Sequence, residues 1–280
     1  MPIKMKFSGF IFCFLFLGKV LSGTGSSLYP GARFGALGGA GSTLSDVWSA
    51  GYNQAGLAFM ENPEFSAFFE NRFLISGLSN TTFAGCLPVS SGTFGIIHSS
   101  FGSPVFKESK SGISYGRKLG PNIAAGIGLN YITLRQGGDY GSMGFPAAEL
   151  GFLARVNKEF SIAAHIFNPW SKTLDPRTKE RFPLILRTGM AYAFSEKVSA
   201  VLEIEKNIYF RPSVKGGIEY NPGKQVFVRA GFSTNPEVST AGFGFRPGNF
   251  SIDLSTQYHP VLGFSPQANI SYRFDRKKES

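Results

Sequence analysis

The chain has few of the residues on which most soluble enzymes and metalloproteins rely. It carries two cysteines, Cys13 and Cys86, three histidines and two tryptophans. Cys13 lies in an apolar N-terminal run that is expected to be removed, which leaves Cys86 alone. That excludes an intramolecular disulfide and any cysteine-based zinc cage. No Gly-x-Ser-x-Gly elbow and no His-Glu-x-x-His motif occurs. His259 falls near Ser255 and Asp253, but such proximity is common in a serine-rich chain. His165 can face the barrel interior described below, and the parity of His98 is open. No enzymatic activity, cofactor or metal is therefore expected. Basic residues outnumber acidic ones, with a formal charge of +10, yet no lysine and arginine cluster alternates with stacking aromatics along one face. Nucleic acid is not an expected partner. Beyond the N-terminus no stretch approaches the roughly 20 apolar residues of a spanning helix, and helical periodicity is scarce throughout.

The N-terminus reads as a secretory signal. Lys4 and Lys6 precede an apolar run over residues 7–17, followed by small residues from Ser22 to Gly25. Cleavage is expected near Ser22 or Gly23. Bulky Phe12 before Cys13 argues against a lipoprotein signal. Removing residues 1–22 takes away Lys4, Lys6 and Lys19 and lowers the formal charge to +7.

At the other end, Gln267, Asn269, Ser271 and Arg273 point one way and Ala268, Ile270, Tyr272 and Phe274 the other, because strand side chains alternate with period two. One face suits lipid and the other a wet lumen. A soluble β-sandwich would carry the same pattern in one segment. Here it recurs along the chain, with strands expected to begin at Glu64, Thr81, Thr93, Gly112, Ile123, Ala147, Phe160, Leu184, Val198, Ser213, Val226, Thr240, Phe250 and Gln267. That is an all-β fold, a transmembrane antiparallel barrel of about 14 strands over residues 63–274, with a short periplasmic tail at 275–280. A bacterial outer membrane is the expected location, with its lipids and the barrel-insertion machinery as partners.

The connections alternate in length. Short ones carry turn chemistry such as Asn221-Pro222-Gly223 and Arg246-Pro247-Gly248. Longer ones are expected at 74–80, 103–109, 135–144, 168–183, 206–212, 233–239 and 259–266, on the outer side. Aromatics near strand ends form two expected girdles: Tyr115, Tyr192, Phe194, Tyr220, Phe245 and Phe274 below, and Phe73, Phe101, Tyr131, Phe167, Phe232 and Tyr258 above.

Parity places Glu64, Glu70, Glu149, Glu203, Glu205, Glu219 and Asp253 inward together with Arg72, Arg155, Arg187, Lys215, Arg229 and Arg273. Acids and bases nearly balance, which argues against a strongly ion-selective pore. Register sets Arg187 opposite Glu205 and Glu203 opposite Lys215, and opposite charges across a strand pair support structural pairing.

Residues 23–62 differ in texture. Gly31-Ala32-Arg33 is followed by Ala36-Leu37-Gly38-Gly39-Ala40, then Asp46, then Asn53-Gln54-Ala55-Gly56-Leu57-Ala58. A short helix over 42–50, capped by Ser42 or Ser45, is expected. This succession just before the first strand resembles the PorV/PorQ family of outer-membrane barrels, within the FadL-like superfamily. Gln54 stands where that family usually has proline, and Asp46 is followed by Val47 instead of a second aspartate. The resemblance implies that residues 23–62 fold inside the barrel as a hatch, with Arg33, Gly38, Gly39, Asp46, Asn53, Gln54 and Gly56 as its motif. Physically, fourteen strands enclose more space than wall side chains fill, since about eight already reach that limit.

The resemblance implies two functions. In the first, a PorV-like barrel serves protein secretion of the type IX kind, receiving secreted cargo proteins beside a translocon through its outer loops. Lys172, Arg177, Lys179 and Arg181 in the charged loop at 168–183 suit such contacts, and Trp170 there reads as an interfacial residue. In the second, a FadL-like barrel passes hydrophobic small molecules from an outer mouth, where Leu262 and Phe264 are the apolar candidates. A purely structural outer-membrane protein is the third reading. Trp48 is expected to pack within the hatch.

Overall fold

The computed structural model describes residues 31–137, 141–170, 173–175 and 180–275, with 173–175 and 180–181 described by their backbone alone. The expected signal 1–22 and most of the tail, 276–280, lie outside the described residues. Fourteen strands form one closed antiparallel barrel. They are β1 (Glu64–Asn71), β2 (Ser79–Val89), β3 (Gly92–Gly102), β4 (Phe106–Lys118), β5 (Ile123–Gln136), β6 (Ser142–Arg155), β7 (Phe160–Phe167), β10 (Ile185–Ala193), β11 (Val198–Asn207), β12 (Ser213–Gly223), β13 (Val226–Thr234), β14 (Glu237–Phe245), β15 (Phe250–His259) and β16 (Gly263–Arg273). Two short strands, β8 (Thr173–Asp175) and β9 (Glu180–Arg181), pair with each other within the connection from β7 to β10.

Each strand pairs with its chain neighbour, and β1 closes the sheet against β16, with Glu64 opposite Arg273 and Glu70 opposite Gln267. Closure leaves no edge, so every wall strand has a partner on both sides. No helix among the described residues is long and apolar enough to cross a membrane. The strands do so instead, with Phe94, Ile96, Ile113, Ile127, Leu129, Leu150, Ile218, Val228 and Leu254 on the outward face, all exposed. Large apolar side chains around the whole circumference belong in hydrocarbon.

The strand positions expected from alternation are recovered, but several strands extend further than expected. β4 begins at Phe106, β6 at Ser142, β14 at Glu237 and β16 at Gly263, so four of the expected long connections span fewer residues than expected. The reason is visible in β4. Lys107, Ser109 and Ser111 face out while Glu108 and Lys110 face in, so the upper strand has no apolar face. The backbone ladder continues there without the pattern that betrays it. The connection 168–184 remains long.

Two aromatics expected in the outer girdle face inward instead. Phe101 is 7% and Phe167 3% exposed, and Arg72 lies 4.9 Å over the Phe101 ring. Both have inward parity, which their position near a strand end conceals. Outward aromatics at that level include Tyr131, Phe232, Tyr258 and Phe264, the last two in a tilted contact with ring centroids 4.9 Å apart. At the opposite rim Tyr192 packs against Phe194, and Tyr272 against both Phe250 and Phe274.

Phe274 extends the closing strand, its amide donating to the Pro63 carbonyl at 2.9 Å. Truncation before Phe274 removes that bond and the edge-to-face contact with Tyr272. The full-length protein is expected to run faster on a gel unboiled than boiled, and the truncated protein to lose the fast band. Retention of the fast band after truncation would show that closure does not depend on this residue.

Candidate functional site

Residues 31–60 lie against the inward faces of the wall, and most of them are buried. They contain a helical turn, Ala32–Ala36, and two 3-10 turns, Val47–Gly51 and Gln54–Phe59. The helix expected over 42–50 is therefore shorter and begins later. Its cap is Asp46, whose carboxylate accepts the Trp48 amide while Ser49 Oγ accepts the Asp46 amide. Neither Ser42 nor Ser45 takes that role. Asn53 caps the next turn, accepting from Ala55 N at 3.2 Å and donating to the carbonyls of Ser42 and Phe152. Trp48 packs inside against Phe68, with ring centroids 6.0 Å apart.

Three wall carboxylates hold this segment. Glu219 accepts two bonds of 2.9 Å from the Arg33 guanidinium and a third of 2.6 Å from Arg229. Arg229 continues to Asp253, and Asp253 to Asn269, whose amide oxygen accepts the Ala32 amide. Glu203 accepts the amides of Gly41 and Ser42 at 3.2 and 2.8 Å and the Tyr52 hydroxyl at 2.5 Å. Glu149 accepts from Gln54 Nε2 at 2.6 Å, from Lys110 at 2.7 Å and from Asn130 at 2.8 Å, and His165 Nε2 lies 2.9 Å away. Buried carboxylates are tolerable only when paired and hydrogen-bonded. Each of these three accepts at least three hydrogen bonds.

The pairs expected from register are opposite one another, Arg187 facing Glu205 and Glu203 facing Lys215. Arg187 Nε reaches Glu205 at 2.6 Å, and its guanidinium lies 4.3 Å over the Tyr52 ring. Lys215 sits nearer Glu205, at 2.9 Å, than Glu203, at 3.9 Å. The segment has drawn the Glu203 carboxylate to its own donors, a competition that strand register cannot reveal. Lys110 and Glu108 also face inward, and alternation missed both because β4 begins earlier than its apolar pattern.

Arg33 also meets Asp46, at 3.3 Å. Burial pushes the Asp46 carboxyl up from its usual range, opposed by the charges of Arg33 and Arg246. Burial disfavours the charged form of this carboxyl, and the cap and ion pair offset that cost. Gly38, Gly39 and Gly31 hold positive φ angles of 70°, 81° and 90°. Gly56 packs on Leu44 O and Ser49. The wall answers with glycines of its own. A methyl at Gly126 would meet the Gln54 carbonyl carbon at 2.3 Å, and one at Gly231 would meet the Gly38 amide nitrogen at 2.5 Å. Both walls thus admit the segment's backbone directly.

Above the segment, toward the long 168–184 connection, the inner wall turns apolar. Ile132 and Leu134 of β5, Phe145 and Ala147 of β6, Phe167 of β7 and Ile185 of β10 form a buried cluster with Phe182. Phe182 comes from the connection, its ring 4.4 Å from Phe145 and 5.7 Å from Phe167. Asn168, at φ 52°, pins this connection by donating to the carbonyls of Phe182 and Pro183. Below the segment a cleft of about 320 Å³ is lined by groups of both charges, among them Arg33, Asp46, Glu64, Arg246 and Arg273.

The other candidates lie elsewhere. Leu262 is in the turn before β16, and Phe264 is on the outward face against Tyr258, so the apolar inner lining is built from different residues. Lys172, Arg177 and Lys179 lie outside the described residues, and Arg181 is described by its backbone alone. Trp170 is 77% exposed. His98 faces outward, 2.9 Å from Ser111 Oγ, and His259 Nδ1 accepts the amides of Val261 and Leu262.

No family model matches the sequence, and no curated protein matches it. Solved structures do. The Pseudomonas putida toluene transporter TodX superposes with a TM-score of 0.70 at 11% identity, over 88% of this chain and 99% of TodX. The Ralstonia pickettii toluene transporter TbuX gives 0.66 at 13% identity, over 88% and 98%. A Pseudomonas aeruginosa FadL homologue gives 0.65 at 12% identity, over 84% and 96%. At these identities the likeness establishes the fold alone, a closed fourteen-strand barrel of the outer-membrane kind.

Glu203→Ala removes the acceptor of the Gly41 and Ser42 amides and leaves the Tyr52 hydroxyl with the Gly39 carbonyl, whereas Glu205→Ala removes only wall pairing. Both changes are expected to lower the temperature at which the fast-migrating band is lost, Glu203→Ala by about 3–5 kcal/mol of stability. Only Glu203→Ala, and Gly126→Leu through its clash with Gln54, should raise conductance in planar bilayers. Equal conductance for all three variants and the parent would mean that residues 31–60 do not close the lumen.

Proposed function

We propose that this protein is a non-enzymatic outer-membrane channel for small hydrophobic molecules, with residues 31–62 as the hatch that closes its lumen. The observation that carries this reading is the apolar cluster on the inner wall. Ile132, Leu134, Phe145, Phe167 and Ile185 turn away from lipid into a lumen that is otherwise lined with charges and hydroxyls. A lumen built for ions or for mechanical support gains nothing from them. A hydrophobic molecule does, because it can replace the Phe182 side chain against the same surface and gain the burial that Phe182 has now. TodX and TbuX are toluene transporters with this fold, which supports a ligand of comparable character. The mixed charge elsewhere in the lumen favours no ion.

The PorV/PorQ resemblance implies reception of secreted cargo instead. That reading takes its support from the N-terminal motif, and of the loop residues it calls on, Lys172, Arg177 and Lys179 are outside the described residues. It is the reading to which a crosslinker at Lys172 would return if it captured secreted proteins or a translocon partner.

Uptake of a labelled monoaromatic hydrocarbon by cells carrying the protein is the direct test. Phe145→Asp should reduce uptake roughly ten- to hundredfold, from the loss of about 1.5–3 kcal/mol of apolar contact, while the heat-modifiable barrel persists. Leu262→Ser and Phe264→Ser should leave uptake unchanged. Full uptake by Phe145→Asp, in a barrel shown to be folded, would overturn the proposal.

A further inference from the structure

On the outward face of β4 and β5, Lys107 stands directly opposite Arg135, and both side chains are exposed. Among wall strands this is the one cross-strand pair of permanently like-charged residues. Opposed residues of an antiparallel pair have Cα atoms about 5 Å apart, and like charges at that spacing destabilise the pair. Elsewhere the wall avoids this arrangement, setting Arg187 against Glu205, Glu203 against Lys215 and Glu219 against Arg229. Neither Lys107 nor Arg135 has an ion-pair partner among the described residues.

The surroundings give the pair a direction. The next outward row toward the membrane is Ser100, Ser109 and Thr133, three hydroxyls side by side across β3, β4 and β5. Below them come His98, Ser111 and the exposed Tyr131, and then an apolar face of Ile96, Ile113 and Leu129, exposed by 58%, 64% and 59%. From rim to midplane the same three strands offer two cations, a row of hydroxyl donors, an interfacial ring and a hydrocarbon surface. Long basic side chains can bend toward the interface while their stems cover apolar surface.

We propose that Lys107 and Arg135, with the hydroxyls of Ser109 and Thr133 beneath them, form a headgroup site for a phosphorylated glycolipid of the outer leaflet, whose acyl chains run down Ile96, Ile113 and Leu129. A phosphate between the two cations replaces their repulsion with two charge-assisted contacts. The assignment rests on the outer-membrane reading, with the loop end outward, and is separate from what the lumen carries.

The test is the unfolding midpoint of the detergent-solubilised protein with lipid A, with dephosphorylated lipid A, with phosphatidylglycerol and with inorganic phosphate. Lipid A should raise the midpoint, and K107Q/R135Q should weaken that response roughly tenfold or more. Without lipid, K107Q alone should match or exceed the parent, because it relieves the repulsion. That reversal of sign is not expected of residues that merely stabilise the sheet. An equal response in the parent and in K107Q/R135Q, both with the fast-migrating band, would overturn the site. An equal effect of inorganic phosphate would make it a free-anion site, and an equal effect of phosphatidylglycerol would remove its glycolipid selectivity. Either result refutes the proposal as stated. Recovery of the parent protein outside the outer-membrane fraction would instead refute the location on which it rests.

Discussion

Hydrocarbon offers no water to a peptide group, so a sheet that enters it must pair every strand on both sides. The remaining features of this protein follow from that demand. Closure through β1 and β16 satisfies the ladder but fixes a circumference of fourteen strands, and that circumference encloses a volume the wall side chains cannot fill. Residues 31–60 supply the missing contents. They do so with short turns and exposed backbone amides, which in turn require acceptors from the wall.

Glu149, Glu203 and Glu219 are those acceptors, one on β6 and two on the neighbouring strands β11 and β12. The arrangement is a set of local balances. Glu219 gathers Arg33 and Arg229, Glu149 gathers Lys110 and Gln54, and Glu203 takes backbone amides in preference to the lysine opposite it. Such a network contributes more to a unique seating than to raw stability, because charges taken out of water regain in pairing little more than they lose in desolvation. Where the segment meets the wall without charge, inward glycines such as Gly126 and Gly231 let backbone approach backbone. Polar clamps and bare backbone contact together fix one position for a segment with little regular structure of its own.

Above that position the lumen changes character, and Phe182 closes over the apolar cluster from outside the sheet. The same connection, residues 168–184, is the longest between wall strands, and its anchor at Asn168 sits beside the end of β7. Inner chemistry and outer loop are therefore joined at one point of the rim, where β6 and β10 flank the short β7. On the opposite side of the sheet, β3, β4 and β5 grade from charge through hydroxyl to hydrocarbon, an ordering imposed by the membrane and not by the lumen.

The sequence by itself determined the barrel. Period-two alternation with turn residues between fixes strand number and parity, and parity fixes which charges face in, because a strand has only two faces. It located Arg187 opposite Glu205 for the same reason. It did not reveal where strands continue past the membrane, since Lys107, Glu108, Ser109 and Lys110 offer no apolar face to alternate. Nor did it show that Phe101 and Phe167 turn inward, that Glu203 leaves Lys215 for Gly41 and Ser42, or that Phe182 caps the cluster on β5, β6, β7 and β10. Those outcomes were decided by tertiary structure alone, because each joins side chains across the lumen or from loop to wall. Local pattern carries the geometry of one strand and its neighbours, whereas a lumen is filled by whichever groups can reach its centre together.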